Sequence, residues 1–550
     1  MTTTTKITIG SLILLTVFSF FLRLYKIESL PGILNRDEAG LAYNAVLLHQ
    51  VGQDEWGRSW PLALESFGDY KLPGYSLLLV VAFNIFPYQD WVVRLPAVIA
   101  GSSLLPLTYF LARNWKFKKE TRWFATLSVA CTPVFFFYSR MAFESLVALS
   151  LWLLAINLII WNPKQKIVEL LRNIATVIIV LLACFTYNTP FLLLPFLILL
   201  VPLITQLKNW KKWSGLCASL LFVFVGVAFV LIPLTSQKSG ITIFSDETTL
   251  TNSISYRKSL HPFLQPVIGS KYIYFSSIIL KNLVLSFSPH FMILKGGAHP
   301  WHSLPNAGNI AITSYLLGIL GLFSLLSNIT KQTLQLVKSK RMRSIVNVLE
   351  SRSCILLFLL ITSLAPSIIT IDAPHTTRSL SFFFWWIFVS VEGLIFLSAF
   401  LKKYVSSITK KTKKKASVAP LLLSCIVLLL VVEFSIYSYK YFYTYPQNQP
   451  GQLKLGFNAI LEEAEEKYLD EEIAVVDGDG YLYIVAAWYL KLSAEEYFSS
   501  IVRQQADQIG FKYGEQLKNY HFIADPNDRE KTNERIMLNW NQNTWSIESF

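Results

Sequence analysis

Long uncharged apolar runs separated by short basic loops dominate this chain. Residues 7–22 (ITIGSLILLTVFSFFL) carry no charge and match the length of a bilayer core. Comparable stretches recur near 123–139, 142–161, 173–188, 189–206, 214–235, 309–328, 353–371, 379–400 and 418–438. Another helix begins near Arg94 and runs to about 112. The apolar segment before it, 74–87, is short and reads best as lying along or dipping into the outer leaflet. The pattern therefore predicts an α-helical polytopic membrane protein with about eleven transmembrane helices. A full crossing at 74–87 would make twelve.

Basic clusters at 113–122, 164–172, 208–212, 331–343 and 402–415 set the expected orientation, because short cytoplasmic loops are enriched in Lys and Arg. With all five inside, the amino terminus is cytoplasmic and the carboxy terminus extracytoplasmic, as for a multi-pass protein of the plasma membrane. A twelfth crossing at 74–87 would place 113–122 outside, against that rule. Composition agrees with a membrane protein. Hydrophobic residues make up 53% and charged residues 15%, against about 25% charged in soluble domains. No small-residue cleavage site follows the first segment, so it reads as a retained helix rather than a signal peptide. The five cysteines lie in or beside apolar segments, which indicates neither a disulfide framework nor a cysteine metal site.

Charge is unevenly shared. Residues 441–550 carry 9 Lys/Arg against 18 Asp/Glu, a balance of −9, so residues 1–440 carry 40 against 17, or +23. Membrane topology explains that asymmetry without nucleic acid as a partner. Two polar stretches interrupt the apolar pattern of residues 1–440: outer loops at 25–73 and 236–305, the second with an amphipathic or re-entrant stretch at 272–294. After 440 the pattern changes to that of a small soluble extracytoplasmic α/β module, 441–550. FNAILEEAEEKYL (457–469) has helical spacing, EIAVVD and YHFIAD read as strands, and GYLYIVAAWYLK reads as a helix. Its DGDG (477–480) lacks the rest of a calcium-loop pattern and reads as a strand-ending turn.

Charges on membrane helices cost about 2.5–3.5 kcal/mol each at the centre, so their placement is informative. Here they gather at the outer ends of segments: Asp37 and Glu38 after the first helix, then Asp69, Lys71, Arg94, Arg140, Glu144, Asp372, His375 and Arg378. Such an arrangement suits an outward-facing pocket for a substrate that is half lipid and half polar. It argues against a path through the bilayer. An absence of internal repeats further weakens a transporter reading.

The series NRDEAGLAYNA, GDYKLPGYSLL, WVVRLPAVIAG, YSRMAFE, GGAHPWHSLPNAG and IDAPHTTRSL, in that order over about residues 5–400, resembles the GT-C glycosyltransferases. Within that superfamily it is most similar to the protein-mannosyltransferase and aminoarabinose-transferase-like group (glycosyltransferase family 39-like). The resemblance implies a GT-C fold, a polyprenyl-phosphate sugar as donor, an acceptor hydroxyl on the extracytoplasmic side, and no metal or other cofactor. It makes Asp37, with Glu38 beside it, the catalytic candidate. A carboxylate can take the acceptor proton while cations stabilise the departing phosphate. Asp37 is also suited to capping the helix that begins at AGLAYNA.

Lys71 matches the basic residue that the family places near the donor phosphate, although Leu72-Pro73 stands where the family often has two prolines. Asp69, Arg94, Arg140, Glu144, His299, His302, Asp372, His375 and Arg378 are candidates for the phosphate and sugar. Arg140 and Glu144, at i and i+4, equally suit a helix-end ion pair. Arg94 equally suits an interfacial anchor and Asp372 a turn. The expected reaction is a metal-independent inverting displacement. An oligosaccharyltransferase-type GT-C enzyme or a lipid or solute transporter are the alternatives. Sugar and acceptor (protein, lipid or glycan) stay open.

Overall fold

The computed structural model describes all residues except 1–2, 68, 206, 208, 236–240, 298, 300, 340–341, 409–417, 448–450, 470, 508–510 and 532–533. The first long helix, α1 (Thr3–Leu24), leads through a loop into α2 (Arg36–Val51). A short hairpin follows, β1 (Leu64–Ser66) and β2 (Asp69–Lys71), paired with Ser66 opposite Asp69. Then come α3 (Gly74–Phe83) and α4 (Asp90–Asn114). At 10 residues α3 spans about 15 Å, half a bilayer core. Its length fits a helix that does not cross.

Three helices follow: α5 (Lys119–Ala130), α6 (Pro133–Tyr138) and α7 (Glu144–Ile160). The apolar stretch near 123–139 is broken at Thr132-Pro133, because Pro133 cannot donate to the preceding turn and instead opens α6. Next are α8 (Lys166–Thr186), α9 (Asn188–Thr205) and α10 (Trp210–Thr235). The second long loop contains α11 (Glu247–Ser259), α12 (Gln265–Ile268) and α13 (Lys271–Ser286), and a π-helical turn at His290–Leu294 closes the stretch expected to be amphipathic. The bundle is completed by α14 (Ile312–Ser339), α15 (Met342–Leu349), α16 (Arg352–Thr362), α17 (Ala365–Ile368), α18 (Leu380–Ile408) and α19 (Val418–Tyr439).

Among the described residues eight helices are long and apolar enough to cross a membrane, with shorter apolar helices at 74–83, 144–160 and 352–368. The chain is a multi-pass membrane protein. Its most intimate helix pair is α14 with α18. A Cβ added to Gly321 would fall on the Val389 carbonyl, and one added to Gly393 on the Leu317 carbonyl. Small residues let the two backbones touch, the usual way to gain packing where lipid competes for apolar surface.

Helical turns over residues 440–447 continue α19 and pack Tyr441 and Tyr445 on Phe136 and Phe137, so the stretch expected to be a soluble module from 441 begins as part of the bundle. The elements after it pack together. Helices α20 (Phe457–Lys467), α21 (Leu482–Tyr489) and α22 (Ala494–Ser500) pack with six strands: β3 (Ile473–Val476), β4 (Val502–Arg503), β5 (Gly514–Leu517), β6 (Tyr520–Ile523), β7 (Ile536–Asn541) and β8 (Thr544–Ser549). Their order is β4-β5-β6-β3-β7-β8, with β3 parallel to both neighbours and the other pairs antiparallel. DGDG forms the turn between β3 and α21. The unit sits against the α2 end of the bundle. Tyr43 donates to the Leu492 carbonyl, and Trp488 and Tyr489 both donate to the Asp90 carboxylate.

Candidate active site

Helix α2 begins with a capping box. The Asn35 side chain accepts from the N–H groups of Asp37 and Glu38, and the Glu38 carboxylate accepts from the Asn35 N–H. Asn35, not Asp37, is therefore the cap, and the helix starts three residues earlier than AGLAYNA. Relieved of capping, the Asp37 carboxylate lies 2.6 Å from the Lys71 ammonium, which also donates to the Asp37 carbonyl at 3.3 Å. Lys71 is nearly buried, whereas the Asp37 side chain keeps 34% of its surface. Burial alone would raise the Asp37 carboxyl, but Lys71 and Arg36 outweigh it and hold it well below the usual carboxylate range. Asp37 is ionised at any physiological pH.

Glu38 points the other way. It is 2% exposed, and its carboxylate accepts from Arg94 Nε at 3.0 Å and Nη2 at 3.2 Å and from the Ala142 N–H at 2.7 Å. The rest of the Arg94 guanidinium serves the carbonyls of Ile27, Gly32 and Ile33. Neither group has a face turned to a substrate. They lock the loop after α1 to the starts of α2, α4 and α7. Arg140 is likewise fully buried, donating to the carbonyls of Leu22, Arg23 and Leu30 and stacked on Phe136, Tyr441 and Phe442. Its donors hold backbone rather than phosphate, and it is not at a helix end facing Glu144. Glu144 opens α7, within electrostatic reach of Tyr187. The Asp69 backbone belongs to β2, and its side chain lies outside the described residues.

Opposite Asp37 stand the remaining candidates. His299 and His302 are stacked with ring centres 4.3 Å apart, and His302 meets His375 at 4.9 Å. His375 Nε2 is 3.3 Å from Asp372, whose other oxygen pairs with Arg378. Both His299 and His302 feel the Asp37 charge. Burial lowers all three imidazoles, assisted by Arg36 at His299, by His375 at His302 and by Arg378 at His375, which is pushed down to about 3. They are neutral at pH 7, each offering one donor and one acceptor, as sugar hydroxyls require. Among the described residues no three His, Cys, Asp or Glu side chains are grouped to hold a metal ion.

Two neighbours were missed in the sequence. Arg36, beside Asp37, has its guanidinium over Tyr481 (4.6 Å) and Trp301 (5.3 Å), so it joins both long loops to the C-terminal unit. Thr377 bonds the Tyr138 hydroxyl at 2.7 Å. Beside Thr377, two adjoining pockets of about 10 Å³ each, room for a single water, lie between α7, α9, α16 and α18. Tyr187, Thr377 and Ser145 line the end nearest the site, Trp152, Leu193 and Ser381 the middle, and Phe196, Phe358 and Trp385 the far end. A polar cluster thus stands at the end of a narrow, mostly apolar seam between helices.

No protein-family model and no curated protein matches the chain. Solved structures with a similar overall course include ArnT from Cupriavidus metallidurans in the apo state. It is 12% identical with a TM-score of 0.47, over 89% of this chain and 86% of that one. The same protein bound to undecaprenyl phosphate gives 12% and 0.47, over 88% and 85%. The Archaeoglobus fulgidus oligosaccharyltransferase in complex with Zn and sulfate gives 12% and 0.46, over 86% and 61%. Likeness at this level is one of general course, so the functional reading rests on the site itself.

Proposed function

We propose that this chain is an inverting membrane glycosyltransferase of the GT-C type, moving a sugar from a polyprenyl-phosphate donor to an acceptor hydroxyl on the extracytoplasmic side. One observation carries the reading: the Asp37–Lys71 pair faces three neutral histidines and Arg378 at the end of a bundle of apolar helices. A phosphate-linked isoprenoid is a molecule of that shape. Its phosphate meets Arg378 and Lys71, its sugar lies among His299, His302 and His375, and its apolar chain lies along the apolar helices beside them.

In the proposed step the Asp37 carboxylate takes the proton of the acceptor hydroxyl, whose oxygen attacks the anomeric carbon. The bond to the phosphate oxygen breaks, and the leaving polyprenyl phosphate keeps the electron pair. Lys71 has a double part. Paired with Asp37 it makes that carboxylate a poor base; drawn toward the donor phosphate it lets the carboxyl rise toward its ordinary value of about 3.9. Donor binding then strengthens the base at the moment of need. The charges lie at the head of the bundle rather than along it, which favours this reading over transport.

The test is transfer from radiolabelled polyprenyl-phosphate monosaccharides in proteoliposomes, with a broad acceptor extract and Asp37→Asn as comparison. Transfer by the parent with inversion, lost in a normally folded D37N, is expected. A product that retains the donor configuration, or full activity in D37N, defeats the mechanism.

A further inference from the structure

Lys71 can meet Asp37 only if the β1–β2 hairpin is held in place, and what holds it comes largely from the C-terminal unit. The hairpin turns at Phe67, a bulky residue at φ +45°. That conformation is disfavoured for a side chain with a Cβ and persists where surroundings impose it. Here both backbone polar groups of Phe67 are bound. Its N–H donates to Glu55 Oε1 at 3.1 Å, and its carbonyl accepts the Lys512 N–H at 3.2 Å. Its ring packs against Tyr481 and Phe511.

Glu55 is itself built in from three sides. It is 1% exposed, its N–H donates to Asn44 of α2, and the same Asn44 donates to Ser66 of β1. The Tyr483 hydroxyl donates to Oε1, while Arg503 donates to the Glu55 carbonyl at 2.9 Å and stacks 3.8 Å above Trp56. Helix α2 thus reaches the hairpin twice, through Asp37 to Lys71 and through Asn44 to Glu55 and Ser66. The C-terminal unit closes that ring.

We propose that Glu55 is a positioning residue, clamped by Arg503 and Tyr483 of the C-terminal unit, which fixes the Phe67 turn and so delivers Lys71 to Asp37. The C-terminal unit is then part of the catalytic apparatus and not only a cover over it. That significance rests on the transferase reading above, but the clamp itself does not. Burial pushes the Glu55 carboxyl up to about 7, with Arg503 opposing the shift. Tyr483, Tyr497, Tyr43 and Asp54 are the other titratable groups facing it. A carboxylate is a stronger acceptor for the Phe67 N–H than a carboxylic acid, so the clamp tightens as pH rises through 7.

The test needs no turnover. Full-length protein in detergent micelles is treated with an amine-reactive ester, and labelling of Lys71 is measured by mass spectrometry relative to exposed Lys281 of α13. Relative labelling is expected to rise at least tenfold in Glu55→Ala and several-fold in Arg503→Gln, with Glu55→Gln recovering most of the protection. In the parent the ratio falls between pH 6 and pH 8, and in E55Q it stays flat. If E55A does not fold, R503Q and the E55Q pH series decide. Unchanged Lys71 labelling in folded E55A or R503Q, or the same pH dependence in parent and E55Q, overturns the clamp. An intact clamp in a protein that transfers no sugar would remove the transferase reading alone. An active enzyme whose donor KM and kcat ignore E55A would remove the positioning role alone.

Discussion

Asp37 and Glu38 are neighbours of like chemistry, and the structure assigns them opposite fates under substitution. Glu38→Ala removes five hydrogen bonds from one carboxylate: two from Arg94, two from Asn35 and one from the Ala142 N–H. It also strands the Arg94 guanidinium, which is fully buried. Breaking such a pair from one side costs about 3–5 kcal/mol, much of the whole stability of a typical folded domain. Asp37→Asn keeps the shape and an acceptor for Lys71 but loses the charge opposite a nearly buried ammonium, at about 1.5–3 kcal/mol. It also removes the proposed base, worth about 10²–10⁴ in rate, or about 3–5 kcal/mol of barrier. Thermal unfolding in micelles and transfer in proteoliposomes read the two quantities apart. D37N is expected to melt only slightly below the parent and transfer nothing measurable, while E38A melts many degrees lower or fails to accumulate. A folded, parent-stable Glu38 variant without transfer, beside an active D37N, would show the roles reversed.

Other consequences are equally direct. Arg378→Gln removes a charged donor worth about 1.5–3 kcal/mol, so donor KM should rise roughly 10–100-fold with folding intact, as measured by initial rates against donor concentration. Because His299, His302 and His375 are lowered in the folded state, the unfolded chain binds more protons below its ordinary histidine value of about 6.5. Stability should therefore fall as pH drops from 7 to 4, and His375→Gln should flatten part of that fall in a melting series. Gly321→Leu drives a side chain into the Val389 carbonyl and should cost at least the ~1–3 kcal/mol of overpacking. Gly226→Leu, with open space around it, should leave melting unchanged.

How much of this was legible beforehand depended on how local the signal was. Most apolar runs became helices because burial in lipid is written residue by residue, though the run near 123–139 breaks at Pro133; α3 was legible as short from its run and from the basic loop at 113–122. The gathering of charges at one end of the bundle was legible, but the pairing of Lys71 with Asp37, 34 residues apart, was not, because it depends on where the hairpin folds back. The capping box was local too, since Asn35 and Glu38 stand three apart, yet the acidic pair drew attention from it. Arg94 and Arg140 were misjudged for a reason no sequence pattern reveals. A buried guanidinium bound to carbonyls and one bound to phosphate have the same place on a helix, and only the fold shows which acceptors meet the donors. Glu55 and Arg503 lie 448 positions apart and carry no motif. Their meeting depends on where the carboxy-terminal sheet settles on α2. The charges gathered at the end of the bundle thus divide into those left partly open, such as Asp37, and those buried against backbone, such as Glu38, Arg94 and Arg140. Solvent exposure of Asp37 beside full burial of Glu38 is the physical difference that makes the division.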